Sequence, residues 1–215
     1  MPPLQLLIKP SSGMCHLRCR YCFYCDVAQN RMKENYGFMT RDTMRQVVKK
    51  ALAYADGTCG FAFQGGEPTL IGIDFYRDFL DTVKEYNTKN LPVSLSLQTN
   101  GNRLGDEWAK LFAENRFLVG VSVDGVKATH DSQRLTPSGE GSFSGVMETI
   151  DRFNRHKVEY NILTVVHAKT AAKIRRIYEF YKKNNFHYQQ YIACLDPLTE
   201  EPGGHDYSLG PEAYG

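Results

Sequence analysis

A chain of 215 residues that is 42% hydrophobic and 23% charged can bury a core, which excludes disorder as its dominant state and predicts one domain or one large α/β unit. Its 26 basic and 24 acidic residues leave a net charge of +2 with no long basic block, so charge makes no case for nucleic acid or a membrane surface. No apolar run reaches the roughly 18 residues of a spanning helix, and residues 1–10 are too soon interrupted for a signal peptide, so the expectation is a cytoplasmic protein with no nucleic-acid and no membrane partner.

Residues 4–8 are a short apolar run and predict a strand, and four cysteines follow it closely. Thr40 suits an N-cap, after which Met44, Val47, Val48, Ala51, Leu52 and Ala55 recur at helical spacing and Gly57 ends the pattern. Residues 59–64 read as a buried strand stopped by Gly65-Gly66. Asp74 is the expected cap of a second helix, with Tyr76, Phe79, Leu80 and Val83 on one face. Residues 93–98 alternate, with Val93, Leu95 and Leu97 on one side and Ser94, Ser96 and Gln98 on the other. A short helix over 107–113 carries Trp108, Leu111 and Phe112. Residues 117–123 predict a strand that ends at the turn dipeptide Asp124-Gly125. Phe143, Val146, Met147, Ile150 and Phe153 form a helical face, residues 158–166 a strand, Ile174, Ile177, Tyr178 and Tyr181 another helix, and residues 188–194 a last strand. Beyond Asp196, the prolines and glycines at 197, 202, 203, 204, 210 and 211 predict a loop.

Six strands with five helices between them predict an α/β fold with a parallel sheet and helical crossovers. The chain has too few units for a closed eight-stranded barrel. An open, partial (β/α)6 barrel is expected, with a flat doubly wound sheet as the alternative. In both, functional residues collect at the C-terminal ends of the strands.

Cys15, Cys19 and Cys22 stand in C-x3-C-x2-C spacing directly after the first strand, with Cys25 close behind. Three thiolates on one loop suit three irons of a [4Fe–4S] cube and leave the fourth iron open. Thiolates also suit zinc, with Cys25 or His16 as a fourth ligand. A four-cysteine cluster through Cys25 is the third reading. Cys59 reads as a small buried residue, and the six histidines show no ligand spacing.

The cysteine spacing, with Tyr21 before the last cysteine, resembles the radical S-adenosyl-L-methionine (radical SAM) enzymes. The other strand ends extend the resemblance: Gln64-Gly65-Gly66-Glu67-Pro68, Thr99-Asn100-Gly101, and Ser122-Val123-Asp124-Gly125 followed by His130-Asp131-x-x-Arg134. Within that superfamily, Lys9-Pro10 ahead of the cysteines, Tyr21-Cys22-Phe23-Tyr24, Phe63 to Leu70 and Cys194-Leu195-Asp196-Pro197-Leu198 resemble the anaerobic sulfatase-maturating enzymes of the SPASM subgroup.

The resemblance implies a partial barrel of the radical SAM type over residues 1–195, with 196–215 beginning a linker toward a SPASM-like extension. It implies that Cys15, Cys19 and Cys22 ligate a [4Fe–4S] cluster whose open iron takes SAM. Gly65 and Gly66 would let backbone approach the methionyl amine and Glu67 would add a negative partner. Ser122 and Arg134 would hold the SAM carboxylate, and a guanidinium fork matches both of its oxygens. Tyr21 and Leu195 would pack around adenosine. Gln64, Gln98 and Asn100 would bond SAM or substrate, and Tyr24 would line the active site.

The implied chemistry is reductive cleavage of SAM to a 5′-deoxyadenosyl radical, which takes a Cβ hydrogen from a cysteine or serine and leads to Cα-formylglycine. The implied partners are a sulfatase polypeptide bearing Cys-x-Pro-x-Arg or Ser-x-Pro-x-Arg and an electron donor such as flavodoxin or ferredoxin. Two auxiliary [4Fe–4S] clusters and the catalytic base are expected only in a longer form. A peptide-modifying enzyme that makes thioether or carbon–carbon crosslinks is the alternative, followed by a zinc-stabilised binding module.

Overall fold

The computed structural model describes residues 2–198 and 200–214. Met1, Thr199 and Gly215, which belong to the expected segments 1–195 and 196–215, lie outside the described residues.

Strands β1 (Leu4–Ile8), β2 (Cys59–Phe63), β3 (Val93–Thr99), β4 (Phe117–Ser122), β5 (Glu159–Val166) and β6 (Gln189–Ala193) form one sheet in chain order, every pair parallel. The order decides between the two expected architectures. Parallel neighbours are joined by right-handed crossovers, so crossovers that all advance the same way leave every helix on one face. A doubly wound sheet reverses its order and covers both faces.

Burial follows that logic. Phe61, Phe63, Val119 and Val121 are at most 1% exposed under the helices, whereas Leu7, Leu118 and Ile192 on the other face are 57%, 48% and 37% exposed. The helix-free face is the inside of a partial barrel, open between the edge strands β1 and β6.

The helices are α1 (Phe23–Gln29), α2 (Arg41–Tyr54), α3 (Ile73–Tyr86), α4 (Asp106–Glu114), α5 (Lys127–Asp131), α6 (Phe143–His156), α7 (Ala168–Ala171), α8 (Ile174–Lys183) and α9 (Pro211–Tyr214). Five of them, α2, α3, α4, α6 and α8, are those expected from apolar periodicity. Thr40 caps α2 as expected, accepting from the Thr43 amide at 3.1 Å. Asp74 does not cap α3. Gly72, at φ +94°, turns the chain out of a short 3₁₀ turn and takes the cap position, and Asp74 sits in the first turn beside Arg77. The core is aromatic: Phe63 packs edge-on against Phe79 at 4.9 Å and Tyr76 at 5.0 Å, and Tyr76 meets Trp108 at 5.3 Å.

The segment between β6 and α9 is irregular, as its composition predicts, and it is tied to the body of the fold. The Ala168 amide donates to the Tyr207 carbonyl at 3.1 Å, Lys169 pairs with Asp206 at 2.6 Å, and the Leu198 amide donates to Asp26 at 3.0 Å. Tyr207 is buried edge-on to Tyr21. The segment is a strap across the C-terminal end of the sheet. No helix among the described residues is long and apolar enough to cross a membrane.

Candidate functional site

Ile8 and Phe63, the last residues of β1 and β2, are neighbours in register, so the cysteine loop and the Gly65-Gly66 turn leave the sheet side by side. The Gly66 amide donates to the Ser12 carbonyl at 3.2 Å and the Glu67 amide to the Met14 carbonyl at 2.7 Å. A Cβ on Gly66 would stand 2.1 Å from the Met14 oxygen, and one on Gly65, where φ is +124°, 2.8 Å from the Ser12 oxygen. The close backbone approach expected at this pair is therefore made to the cysteine loop itself.

The thiols of Cys15, Cys19 and Cys22 open onto a cavity of about 370 Å³ at the C-terminal ends of the strands. Every other expected site residue but one shares its wall: Tyr21, Tyr24, Gln64, Gly65, Gly66, Gln98, Asn100, Ser122, Arg134 and Leu195. Leu163, Val165, Ile192 and Cys194 also line it and were not expected. The signal was present, because all but Cys194 lie on inward positions of β5 and β6 at period two. Cys25 does not line this cavity and faces two outer clefts.

The cysteines differ in electrostatics as well. Burial pushes the Cys19 thiol up to about 12 against the pull of Arg134, and burial pushes Cys15 up too. Cys22 is drawn below the ordinary thiol value, chiefly by a hydrogen bond from the Cys25 thiol. Buried thiols that must ionise call for a positive partner. Among the described residues no three His, Cys, Asp or Glu side chains converge on a point that holds a single ion. Three soft donors around one end of a larger cavity fit a three-thiolate iron–sulfur cluster with an open position better than tetrahedral zinc.

Glu67 is the exception to the expected set. It is fully buried behind the wall, where Oε1 accepts from the Thr69 amide, the Thr69 hydroxyl and the Thr99 hydroxyl at 3.1, 2.7 and 2.8 Å. Its Oε2 accepts from the Asn100 amide at 2.8 Å. Both oxygens accept from protein donors, so in this structure Glu67 ties the end of β2 to the end of β3 and does not line the cavity.

Asp124, read from sequence only as part of a turn, is the hub of the far wall. It is fully buried and accepts from Arg134 Nε at 2.8 Å and Nη2 at 3.3 Å, from the Val165 amide at 3.0 Å, and from the Tyr21 hydroxyl. Burial alone would raise its carboxyl, but Arg134 and His130 hold it below the usual carboxylate range. The Arg134 guanidinium also lies 5.5 Å from the centre of the Tyr21 ring, which packs on His167 at 5.7 Å.

His130 supports this wall from behind. The Asp124 amide donates to its Nδ1 at 3.2 Å, so Nε2 carries the proton and donates to the Ser142 hydroxyl at 3.0 Å. Ser142 in turn donates to the Arg134 carbonyl at 2.9 Å. Burial and the nearby Arg134 charge lower His130 from its ordinary 6.5 to about 4. Between those values the unfolded chain binds the extra proton, so stability rises with pH. Unfolding free energy should fall by about 3 kcal/mol as pH drops from 6.5 to 4. Urea titrations across that range check this, and His130→Asn should flatten the slope.

The strand-end cysteine loop, the one-sided parallel sheet and the thiol-lined cavity define a class: the chain belongs to the radical SAM superfamily, whose sequence pattern matches residues 10–181. Among known proteins it is 51% identical over 214 residues to a cysteine-type anaerobic sulfatase-maturating enzyme of Clostridium novyi, covering 100% of this chain and 57% of that protein. It is 31% identical over 229 residues to a serine-type enzyme of Bacteroides thetaiotaomicron, covering 99% of this chain and 55% of that one. A solved structure of native anSMEcpe with bound AdoMet and Kp18Cys peptide superimposes with a TM-score of 0.94 at 45% identity, over 99% of this chain and 57% of that one. The chain thus spans less than three fifths of the length of these relatives.

Proposed function

We propose that this chain carries the SAM-cleaving part of an anaerobic sulfatase-maturating enzyme, which oxidises a cysteine or serine of a sulfatase to Cα-formylglycine. The observation that carries the reading is the meeting of Cys15, Cys19 and Cys22 with the ends of β2, β3, β4 and β6 on one cavity. Identity of 51% to a cysteine-type relative against 31% to a serine-type one favours cysteine as the target.

Cys15, Cys19 and Cys22 would hold a [4Fe–4S] cluster. Bound together, the cluster and SAM supply one-electron reductive cleavage that gives a 5′-deoxyadenosyl radical for hydrogen abstraction from the peptide. The chain's residues do the placing. Ser122 and Arg134 Nη1, which has no acceptor among the described residues, offer donors to the SAM carboxylate. Nε and Nη2 of Arg134 are held by Asp124, so it meets a ligand with one edge and not with a full fork. Gly65 and Gly66 keep their backbone accessible to the amine, while Tyr21 and Leu195 offer faces to adenosine. Gln64 and Gln98 present amides to SAM or peptide, and Asn100 lines the wall beside Cys15. Burial raises the Tyr24 phenol, so it stays protonated as it lines the wall. Confinement between these strand ends brings a reactive carbon to its target before solvent, which is proximity catalysis.

The reading also includes two auxiliary [4Fe–4S] clusters in a longer form, a sulfatase segment with Cys-x-Pro-x-Arg or Ser-x-Pro-x-Arg, and a cytoplasmic flavodoxin or ferredoxin as reductant. Exposed Arg18, Arg20 and Arg31 near the cysteine loop suit an acidic donor. The test is anaerobic reconstitution with iron and sulfide, then incubation with SAM, dithionite and both peptides. Release of 5′-deoxyadenosine that vanishes in Cys19→Ala is the expected result, with formylglycine on the peptide in the longer form. A thioether or carbon–carbon crosslink would move the protein to another peptide-modifying class. Zinc in place of iron, with no 5′-deoxyadenosine, would overturn the reading.

A further inference from the structure

We propose that Asn100 acts on the cysteine ligand set itself, as a fixed N–H donor to the Cys15 sulfur that raises the reduction potential of the cluster. This rests on the reading of Cys15, Cys19 and Cys22 as cluster ligands. Asn100 Nδ2 lies 3.6 Å from Cys15 Sγ, and the Leu17 amide reaches the same sulfur at 3.4 Å.

The amide cannot be turned the other way round. Asn100 Oδ1 accepts from the Asn102 backbone amide at 2.9 Å, and a backbone N–H can only be met by the oxygen. This Asx turn leaves Nδ2 directed at the sulfur. Gly101, at φ +68°, allows the turn, and a Cβ there would press to 2.9 Å on Val121.

The Asn100 backbone is pinned from the other side. Its amide donates to Glu67 Oε2 at 2.8 Å, and the Thr99 hydroxyl donates to Oε1 of the same carboxylate at 2.8 Å. Glu67 follows Gly66, whose own amide docks the cysteine loop. One buried carboxylate therefore fixes the register between the loop that holds Cys15 and the turn that holds its donor. The Thr-Asn-Gly run has a physical role at each position: Thr99 anchors, Asn100 donates, and Gly101 makes the bend.

The sign of the effect follows from charge. The reduced cluster carries one more negative charge than the oxidised one, part of it on the ligand sulfurs, so an N–H directed at a sulfur stabilises the reduced form more. Hydrogen bonds to sulfur are among the determinants of cluster potential. Asn100 is a positioning and tuning residue here and not a reacting group.

The experiment is a redox titration of the reconstituted chain without SAM, followed by electron paramagnetic resonance of the reduced cluster. Asn100→Ala removes the donor. Asn100→Asp keeps the volume and the acceptor for Asn102 and also removes it, so at least one variant should retain the cluster. Iron and sulfide content is measured alongside. At fixed ambient potential the ratio of reduced to oxidised cluster should fall by roughly three- to tenfold, a tenfold fall being a midpoint about 59 mV more negative for one electron. The exchange-sensitive part of the Fe–S(Cys15) stretching bands, read by resonance Raman in H2O and D2O, should shrink in both variants. Unchanged midpoint and bands at full iron content would overturn the proposal and leave the cluster reading intact. Absence of iron and sulfide from the parent chain would overturn both.

Discussion

Replacing any one of Cys15, Cys19 and Cys22 by alanine is expected to abolish the iron–sulfur cluster, whereas Cys25→Ala should keep it. Iron content after anaerobic reconstitution should fall from about four atoms per chain toward zero in the first three variants. The argument is geometric. The three thiols share the wall of one cavity with residues of the five other strands or their ends, and Cys25 opens only onto the outer side of the loop. Cys25 is a helix residue in α1, and its thiol points at the Cys22 sulfur as a donor. Losing it removes a hydrogen bond to a ligand and leaves the ligand in place. Cluster loss in Cys25→Ala with retention in any one of the other three would place the open position elsewhere and sink the three-ligand arrangement. The four variants also separate iron from zinc, because a tetrahedral zinc site built with Cys25 would fail in all four.

The large elements were legible because they are regular. Each strand falls within one residue of its expected ends, since alternating or continuous apolar runs closed by Gly or Asp-Gly leave little freedom. The short helices were not legible. α1 carries Cys22 at its N-cap and only Ala28 buried, so it shows no apolar stripe, and α7 spans a single turn. Asp74 was a reasonable cap by residue type, but Gly72 holds a positive φ that the preceding 3₁₀ turn requires, and that is a property of the join between two elements. The cavity wall was legible through motifs at the strand ends. What sat behind the wall was not. From sequence Glu67 suggests a negative partner for a ligand, because nothing local says that Thr99 and Asn100 will arrive from β3 and supply, with Thr69, four donors to its carboxylate. Asp124 was read as a turn residue because its partners Tyr21 and Val165 are 103 and 41 positions away. The segment after Asp196 reads as a loop from its prolines and glycines, and the contacts that tie it down, Tyr207 against Tyr21, Asp206 with Lys169 and the Leu198 amide on Asp26, come from residues distant in the chain.

The second large effect lies at that hidden carboxylate. Asp124→Ala should lower the unfolding free energy of the cluster-free chain by about 3–5 kcal/mol, because it strands the Arg134 guanidinium without a counter-charge in a buried site. It also strips the Tyr21 hydroxyl and the Val165 amide of their acceptor, which adds to the penalty. Asp124→Asn keeps the volume and one acceptor oxygen but no charge, and should fall between the parent and the alanine variant. The double variant Asp124→Ala with Arg134→Met should lose less than the sum of the two single changes, since neither charge is then left alone. The pH dependence gives a second signature. Asp124 is held below the ordinary carboxylate value, so its contribution is complete above that value, about 4, and is lost as pH falls through the lowered one. That window lies below the one assigned to His130, which runs from 6.5 to about 4, so the two slopes separate in a His130→Asn background. Urea unfolding at several pH values, with SAM binding measured by calorimetry on the reconstituted chain, provides both readouts. SAM affinity should drop with stability in Asp124→Ala, because Arg134 Nη1 is aimed at the cavity only while Nε and Nη2 are held. Single variants that each cost under about 1 kcal/mol, or a double variant that costs their full sum, would show that the buried pair does not anchor this wall and that Arg134 is positioned by its backbone bonds to His130 and Ser142.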